Sequence, residues 1–135
     1  MDTMIVTGGA GFIGSNFARL ALAQTDARVV VMDKLTYAGN RQSLADVARH
    51  PRFIFMQADI ADRAAVDAIY RDYQPTWVVN FAAESHVDRS IDGPRVFIQT
   101  NINGTFELLD AARLYIATLD AATRARFRFL HVSTD

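Results

Sequence analysis

The chain has 135 residues, of which 50% are hydrophobic and 21% are charged, and its formal net charge at pH 7 is −1. This composition indicates one globular domain and excludes the disordered, fibrous and low-complexity classes. Because there is no basic surplus, we expect neither nucleic acid nor a membrane as a partner. The chain has no cysteine, which excludes disulfides and thiolate chemistry. Its N-terminal residues show no signal-peptide pattern, so we expect a cytoplasmic protein.

Short apolar runs along the chain predict its strands. Apolar residues on consecutive positions are typical of strands that are buried on both faces of a parallel sheet. Five such runs occur, at residues 4–6, 29–32, 53–56, 77–81 and 127–132.

Segments with helical periodicity separate these runs. In the first segment, the apolar face predicted for the helix consists of Ile13, Phe17 and Leu20. In the second, Asp62 is placed to cap a helix whose apolar face consists of Val66, Ile69, Tyr70 and Tyr73. A third helix is predicted from residues 93–94, where the proline suits the first helical position, to about residue 118.

The third predicted helix has two apolar faces. One face consists of Phe97, Leu108, Ala111 and Tyr115. The other consists of Ile98, Ile102, Leu109, Ala112 and Ile116. A helix that covers one side of a sheet needs only one apolar face, so the second predicts a surface for a partner.

The alternation of strand and helix, repeated four times, predicts the fold. It indicates parallel strands joined by right-handed crossovers, with helices on both faces of the sheet. We therefore predict a doubly wound, Rossmann-type α/β domain over residues 1–135. Ligands in this architecture lie beyond the carboxyl ends of the strands, so the candidate site residues are those that follow each apolar run.

A glycine-rich segment follows the first run. Residues 7–14 place Gly8, Gly9, Gly11 and Gly14 so that both G-x-G-x-x-G and G-x-x-G-x-x-G are matched. Glycines at this spacing permit a tight turn and a close approach of backbone N–H groups to a pyrophosphate at the start of the next helix. The strand before the motif and the helix after it supply the context that a dinucleotide site requires.

Asp33 follows the second run, 19 residues beyond Gly14. This is the spacing at which a carboxylate accepts hydrogen bonds from the adenosine ribose hydroxyls. Two unit charges about 4 Å apart repel each other by about 4 kcal/mol at an effective dielectric constant near 20. We therefore predict that the cofactor is NAD rather than NADP.

Candidate site residues also follow the third and fourth runs. Asp59 and Ile60 follow the third run, where Asp59 can accept a hydrogen bond from adenine or can equally be a turn residue. After the fourth run, Ala82 and Ala83 leave room for a cofactor to pass over the backbone. Three alternating side chains that follow are possible metal ligands: Glu84, His86 and Asp88. Alternate residues converge on one ion only in an extended segment, so we predict no metal site. The other two histidines, His50 and His131, are given no role.

Four segments together resemble a known family. They are residues 7–14 (TGGAGFIG), 33–40 (DKLTYAGN), 82–91 (AAESHVDRSI) and 133–135 (STD). They are similar to the dTDP-glucose 4,6-dehydratases, which are extended short-chain dehydrogenases/reductases, and the resemblance covers the whole chain. It implies that these 135 residues correspond to the first two fifths of such an enzyme, a truncated NAD-binding domain without the substrate domain.

The resemblance implies roles for individual residues. The glycines Gly8, Gly11 and Gly14 with Phe12 and Ile13 would bind the pyrophosphate, and the adenosine ribose would contact Asp33, Lys34, Leu35 and Thr36. The adenine would contact Asp59 and Ile60. The nicotinamide half would contact Phe81, Ala82, Ala83, Glu84, Ser85 and Thr100. The sugar substrate would contact Ser85 and Thr134.

The resemblance also implies a reaction and an assembly. In this family, NAD⁺ takes a hydride from C4 of the glucosyl unit, water is lost across C5 and C6, and the hydride returns to C6. Asp135 matches the acid that protonates the leaving hydroxyl, and Thr134 can hydrogen-bond the C4 oxygen. The third helix would form a homodimer interface. The family's Tyr-x-x-x-Lys pair is not among these residues, so we expect the 135-residue chain alone to have no dehydratase activity.

Two other functions are compatible with parts of the pattern. A UDP-glucose 4-epimerase shares the glycine motif and the acidic residue at Asp33, but it has no elimination step and therefore no use for an acid at Asp135. A non-catalytic NAD-binding sensor on the same scaffold is the alternative from a different class, because a fold does not fix a function.

Overall fold

The computed structural model describes residues 1–35, 40–82 and 94–133. Its sheet has five strands in the order β3-β2-β1-β4-β5, and every neighbouring pair is parallel. The strands are β1 (Thr3–Thr7), β2 (Arg28–Asp33), β3 (Phe53–Gln57), β4 (Trp77–Asn80) and β5 (Arg128–His131). Each predicted apolar run agrees with one of them to within one residue at each end, so the prediction of a parallel sheet is confirmed.

The helices are α1 (Phe12–Gln24), α2 (Arg63–Tyr73), α3 (Pro94–Ile98), α4 (Thr105–Ala117) and α5 (Ala121–Arg126). A π-helical segment (Gln99–Gly104) joins α3 to α4. These three pieces form the predicted third helix, and Pro94 is its first residue, as expected. The short α5 was not predicted from the sequence; its N-cap is Asp120, whose side chain accepts a hydrogen bond from Thr123 N at 2.7 Å.

The connection from β2 to β3 contradicts the prediction of four strand–helix repeats. Its described residues, 34–35 and 40–52, contain turns and one 3-10 helix (Arg41–Leu44) but no α-helix. Asn40 caps the 3-10 helix by accepting a hydrogen bond from Gln42 N at 2.9 Å. The fully buried Leu44 then packs into the core beside Phe53. One buried leucine thus covers this end of the sheet where a helix was expected.

The core lies on both faces of the sheet, as predicted for a doubly wound fold. Side chains alternate along the central strands, so that Ile5 and Val30 face α2 and α4, whereas Val6 and Val31 face α1 and the 3-10 helix. Both strands are almost completely buried. The structure therefore confirms the parallel sheet with helices on both sides.

Helix α2 agrees with its sequence pattern. Asp62 caps it by accepting a hydrogen bond from Ala65 N at 3.3 Å, and Val66, Ile69 and Tyr70 are buried. The Tyr70 hydroxyl donates to the carbonyl of Leu108 in α4 at 3.2 Å, and burial raises the pKa of Tyr70. The two helices therefore pack together as one layer.

The predicted apolar face of α1 is wrong. Ile13 and Leu20 are exposed and Phe17 is only partly buried, whereas the buried residues are mostly small: Gly14, Ser15, Ala18, Ala21 and Leu22. The reason is close approach, because a Cβ on Gly14 would lie 2.3 Å from the carbonyl oxygen of Gly8. A helix this near to the loop between β1 and α1 can bury only short side chains against it.

The division of the third helix into two faces is partly wrong. Ala112 is buried and Ile116 packs against the same core as Leu108, Ala111 and Tyr115, instead of lying on the second face. A π-helical turn takes more residues than an α-helical turn, so it changes the phase between α3 and α4. Four of the exposed apolar residues that remain on these helices follow one another at intervals of three or four positions, and we call them the stripe: Ile98, Ile102, Phe106 and Leu109, with exposed fractions from 46% to 62%.

Candidate functional site

The glycine loop lies at the switch point of the sheet, where the strand order reverses between β1 and β4. Gly8 has φ +68°, and a Cβ placed there would lie 2.7 Å from Ala82 N. Its own N–H donates to Met32 O at 2.8 Å. Gly8 is therefore held by backbone on two sides, and the loop runs directly over the start of the segment that follows β4.

The glycine loop leads into helix α1, whose N-terminus has no side-chain cap. Gly11 is the N-cap of α1 and supplies no side-chain cap, and the first turn contains no acidic residue. The first N–H groups of a helix have no partner within the helix and carry a partial positive charge. Phe12 and Ile13 in this turn are 84% and 64% exposed. This cradle fits the pyrophosphate of a dinucleotide.

Asp33 stands beside the loop at the end of β2. It is only 9% exposed, and its two carboxylate oxygens accept hydrogen bonds from Ala10 N at 3.0 Å and from Leu35 N at 2.7 Å. Leu35 has a left-handed backbone with φ +60°. Asp33 therefore fixes both the glycine loop and the turn after β2, a role that the sequence did not indicate. A carboxylate has about four acceptor positions, so it can still accept from ribose hydroxyls.

Lys34 connects three segments at the same edge of the sheet. Its Nζ lies 3.9 Å from Asp59 Oδ2 and donates to Thr100 Oγ1 at 3.3 Å. Asp59 Oδ1 accepts from Ala61 N at 2.9 Å, so Asp59 is a turn residue and an ion-pair partner at once. Thr100, which the resemblance assigns to the nicotinamide half, thus lies beside residues assigned to the adenosine half.

The side chains of Ile60 and Phe81 belong to the core. Ile60 is buried against Gly104, where a Cβ would lie 2.6 Å from Ile60 Cγ1. Phe81 packs against Phe17 of α1 with 5.3 Å between the ring centroids. Ile60 can therefore present only its backbone to an adenine, and the ring of Phe81 supports the helix that follows the glycine loop.

A polar network joins the carboxyl ends of β1, β4 and β5; its members Thr7 and Asn80 are buried, whereas His131 is exposed. Asn80 is fully buried, and its Oδ1 accepts hydrogen bonds from the Thr7 hydroxyl and, at 3.1 Å, from Ala82 N. Its Nδ2 lies 3.0 Å from His131 Nδ1. The sequence analysis gave His131 no role and treated residues 77–81 as uniformly apolar. The asparagine within that run was the available signal, because a buried polar side chain requires partners.

Several predicted site residues lie outside the described residues: Thr36, Ala83, Glu84, Ser85, Thr134 and Asp135. The same is true of His86 and Asp88. Within the described ranges, no cluster of three or more potential metal ligands occurs. In the same ranges, no helix has the length and apolar character needed to cross a membrane.

Comparisons with known proteins agree with this geometry. A family profile described as GDP-mannose 4,6 dehydratase matches residues 5–135. The dTDP-glucose 4,6-dehydratase 1 of Escherichia coli K12 is 55% identical over 132 residues, which are 98% of this chain and 37% of that protein. The chain therefore spans less than two fifths of the length of this relative.

Solved structures show the same arrangement. The dTDP-glucose 4,6-dehydratase of Bacillus anthracis, solved in complex with NAD, has a TM-score of 0.81 at 30% identity, covering 99% of this chain and 38% of that chain. The UDP-glucose 4-epimerase of Brucella ovis, also with NAD, has a TM-score of 0.73 at 35% identity, covering 85% of this chain and 33% of that chain. The resemblance noted in the sequence is thus confirmed, and the chain belongs to the family described as GDP-mannose 4,6 dehydratase.

Proposed function

We propose that this chain is the cofactor-binding part of an NAD-dependent dTDP-glucose 4,6-dehydratase, a lyase of nucleotide-sugar metabolism. The observation that carries the proposal is the 55% identity to a dTDP-glucose 4,6-dehydratase over nearly the whole chain. The glycine loop, the uncapped start of α1 and the buried Asp33 supply the matching geometry.

The described residues fit NAD. The N–H groups at the start of α1 bind the pyrophosphate. Because Gly8 has no side chain, the loop packs directly on the backbone of Ala82 and leaves space for the cofactor above it. Asp33 accepts from the ribose hydroxyls while it holds the loop, and its charge disfavours a 2′-phosphate. Bound NAD⁺ supplies the acceptor for a hydride from C4 of the sugar.

The catalytic proposal concerns Ser85, Thr134 and Asp135 and rests on the resemblance. Ser85 and Thr134 orient the sugar, and the Thr134 hydroxyl hydrogen-bonds the C4 oxygen. Oxidation at C4 makes the C5 proton acidic, so that elimination requires a base at C5 and an acid at O6. We assign the role of that acid to Asp135 from the resemblance; in the chain it follows β5, which pairs with β4 beside the switch point.

An elimination assay tests this function. In the full-length protein, Asp135→Asn should still oxidise C4 but lose water about 10²- to 10⁴-fold more slowly, since a positioned general acid is removed. The reduced cofactor should then accumulate in stopped-flow absorbance measurements after dTDP-glucose is added. Asp120→Asn is the matched control, because asparagine is an equally good N-cap for α5. Wild-type elimination without accumulation of reduced cofactor would contradict the role of Asp135.

The second candidate, a UDP-glucose 4-epimerase, is favoured only by the similarity of the fold. The product separates the two reactions, because epimerisation of UDP-glucose retains the C6 hydroxyl, whereas the dehydratase produces a 4-keto-6-deoxy sugar. Epimerase activity with UDP-glucose and no turnover of dTDP-glucose would replace the first proposal. The expected cytoplasmic location stays a prediction.

We also propose that the protein forms a homodimer through the stripe of Ile98, Ile102, Phe106 and Leu109. The stripe leaves four large apolar side chains in solvent along one helical unit, which is typical of an interaction surface. Light scattering well above micromolar concentration should show a dimer for the full-length protein and a monomer for Ile102→Asp. Leu114→Asp, an exposed leucine of α4 outside the stripe, is the control. A monomeric wild-type protein would contradict the proposal.

A further inference from the structure

The hydrogen bonds around the buried Asn80 determine the orientation of its amide. Ala82 N–H can only donate a hydrogen bond, and it lies 3.1 Å from the atom assigned as Asn80 Oδ1. The opposite orientation would direct two donors at each other inside the core. The carbonyl oxygen of Asn80 therefore faces Ala82 N and the Thr7 hydroxyl, and the NH₂ group faces His131.

This orientation in turn determines the hydrogen-bonding role of His131. Asn80 Nδ2 donates, so His131 Nδ1, 3.0 Å away, must accept. In the neutral imidazole the proton is then on Nε2. The Asn80 NH₂ group thus donates to His131 Nδ1 at the end of β5.

The network stabilises backbone that belongs to the proposed cofactor site. Ala82 N also lies 3.4 Å from Thr7 Oγ1, and the Gly8 backbone packs on Ala82 so closely that a Cβ would not fit. The carboxyl end of β5, which leads to residues 133–135, is thereby connected through Asn80 to the backbone under the glycine loop. The Asn80 side chain thus contacts both His131 and Ala82 N.

We propose that His131 is a positioning residue: by accepting from Asn80 it sets the position of the Ala82 backbone, and hence of the bound nicotinamide, relative to the end of β5. The link to catalysis rests on the proposed function, whereas the link to Ala82 does not.

Two amide substitutions in the full-length protein test the proposal, because each places a polar group near one of the two ring nitrogens of histidine. In His131→Asn, the amide oxygen takes the place of Nδ1 and keeps the acceptor for Asn80. In His131→Gln, the polar atoms take the place of Nε2 and the acceptor for Asn80 is lost. His50 is the matched control, because its Nδ1 also accepts, from Arg52 N at 3.1 Å, but in the β2–β3 connection; His50→Gln should leave the site unchanged.

Hydrogen exchange measured by mass spectrometry tests the structural step without any substrate. In the NAD complex, the peptide that contains Ala82 should exchange about fivefold faster in His131→Gln than in the wild type, since one hydrogen bond is weakened. His131→Asn and His50→Gln should retain the wild-type rate there. Equal exchange in both His131 variants, whether fast or slow, would overturn the proposal.

Kinetics test the consequence. His131→Gln should lower kcat at least about tenfold with little change in KM or in the melting temperature, because misplacement of the reacting groups affects the chemical step. His131→Asn should restore most of kcat. If His131→Gln lowered the melting temperature without lowering kcat, His131 would have a structural role only and the proposal would be overturned. If the wild type has no dehydratase activity, the proposed function fails and the exchange of Ala82 alone decides this inference.

Discussion

Asp33→Asn tests whether the carboxylate of Asp33 both binds ribose and holds the glycine loop in place. Both carboxylate oxygens of Asp33 accept backbone N–H groups, from Ala10 at 3.0 Å and from Leu35 at 2.7 Å. An amide has only one oxygen, so in either orientation one of these N–H groups faces an NH₂ group. The change is nearly isosteric, and any effect therefore comes from hydrogen bonding and charge.

The expected cost follows from these two contacts. A hydrogen bond to a charged acceptor contributes about 1.5 to 3 kcal/mol, and a neutral one about 1 kcal/mol. Loss of one bond and weakening of the other gives about 2 to 4 kcal/mol in total. At about 3 °C per kcal/mol for a domain of this size, the melting temperature should fall by about 6 to 12 °C.

Thermal unfolding monitored by circular dichroism and titration calorimetry with NAD measure the two consequences. We expect NAD affinity to fall together with stability, because the carboxylate that binds ribose also fixes the glycine loop. Asp46→Asn is the matched control: Asp46 forms an exposed ion pair with Arg19 at 2.8 Å, which should contribute no more than about 1 kcal/mol. If Asp33→Asn gained NADP affinity with an unchanged melting temperature, the carboxylate would be only a ribose ligand and the scaffold role would be refuted.

Two further predictions concern the same loop. Gly8→Ala should destabilise the protein by at least about 3 kcal/mol, since it combines a left-handed backbone with a clash against Ala82. Gly11→Ala, at φ −77°, should keep the wild-type melting temperature but lower the affinity for NAD. Equal melting temperatures for both variants would contradict this distinction. Calorimetry should also show weaker binding of NADP than of NAD, because the 2′-phosphate approaches the carboxylate of Asp33; equal or tighter binding of NADP would refute the charge argument.

Much of the framework was predictable from the sequence because it depends on local pattern. Consecutive apolar residues indicated the five described strands, since such runs are typical of strands that are buried on both faces, although β5 itself is mostly exposed. Asp62 and Pro94 marked helix starts correctly, because capping and proline geometry depend on a few neighbouring residues. The glycine motif likewise indicated a turn between β1 and α1 that approaches other backbone closely.

Errors in the sequence analysis arose where packing between distant segments overrides local pattern. The buried face of α1 consists of small residues because the helix lies against the glycine loop, and nothing in the spacing of Ile13, Phe17 and Leu20 reports that distance. Between β2 and β3, the expected helix is replaced in the described residues by a 3-10 helix whose Leu44 fills the core. The π-helical turn moved Ala112 and Ile116 from the outer face to the core.

The residues that follow each strand, and are therefore candidates for the site, could be predicted from local pattern. The contacts of those residues depend on how the strands are arranged in the folded chain. Asp33 meets Ala10 because β2 lies beside β1, and Asn80 meets both Thr7 and His131 because β4 lies between β1 and β5. These partners are 23 to 73 positions apart in the chain. Their contacts depend on the strand order, which non-local packing sets and local periodicity does not encode.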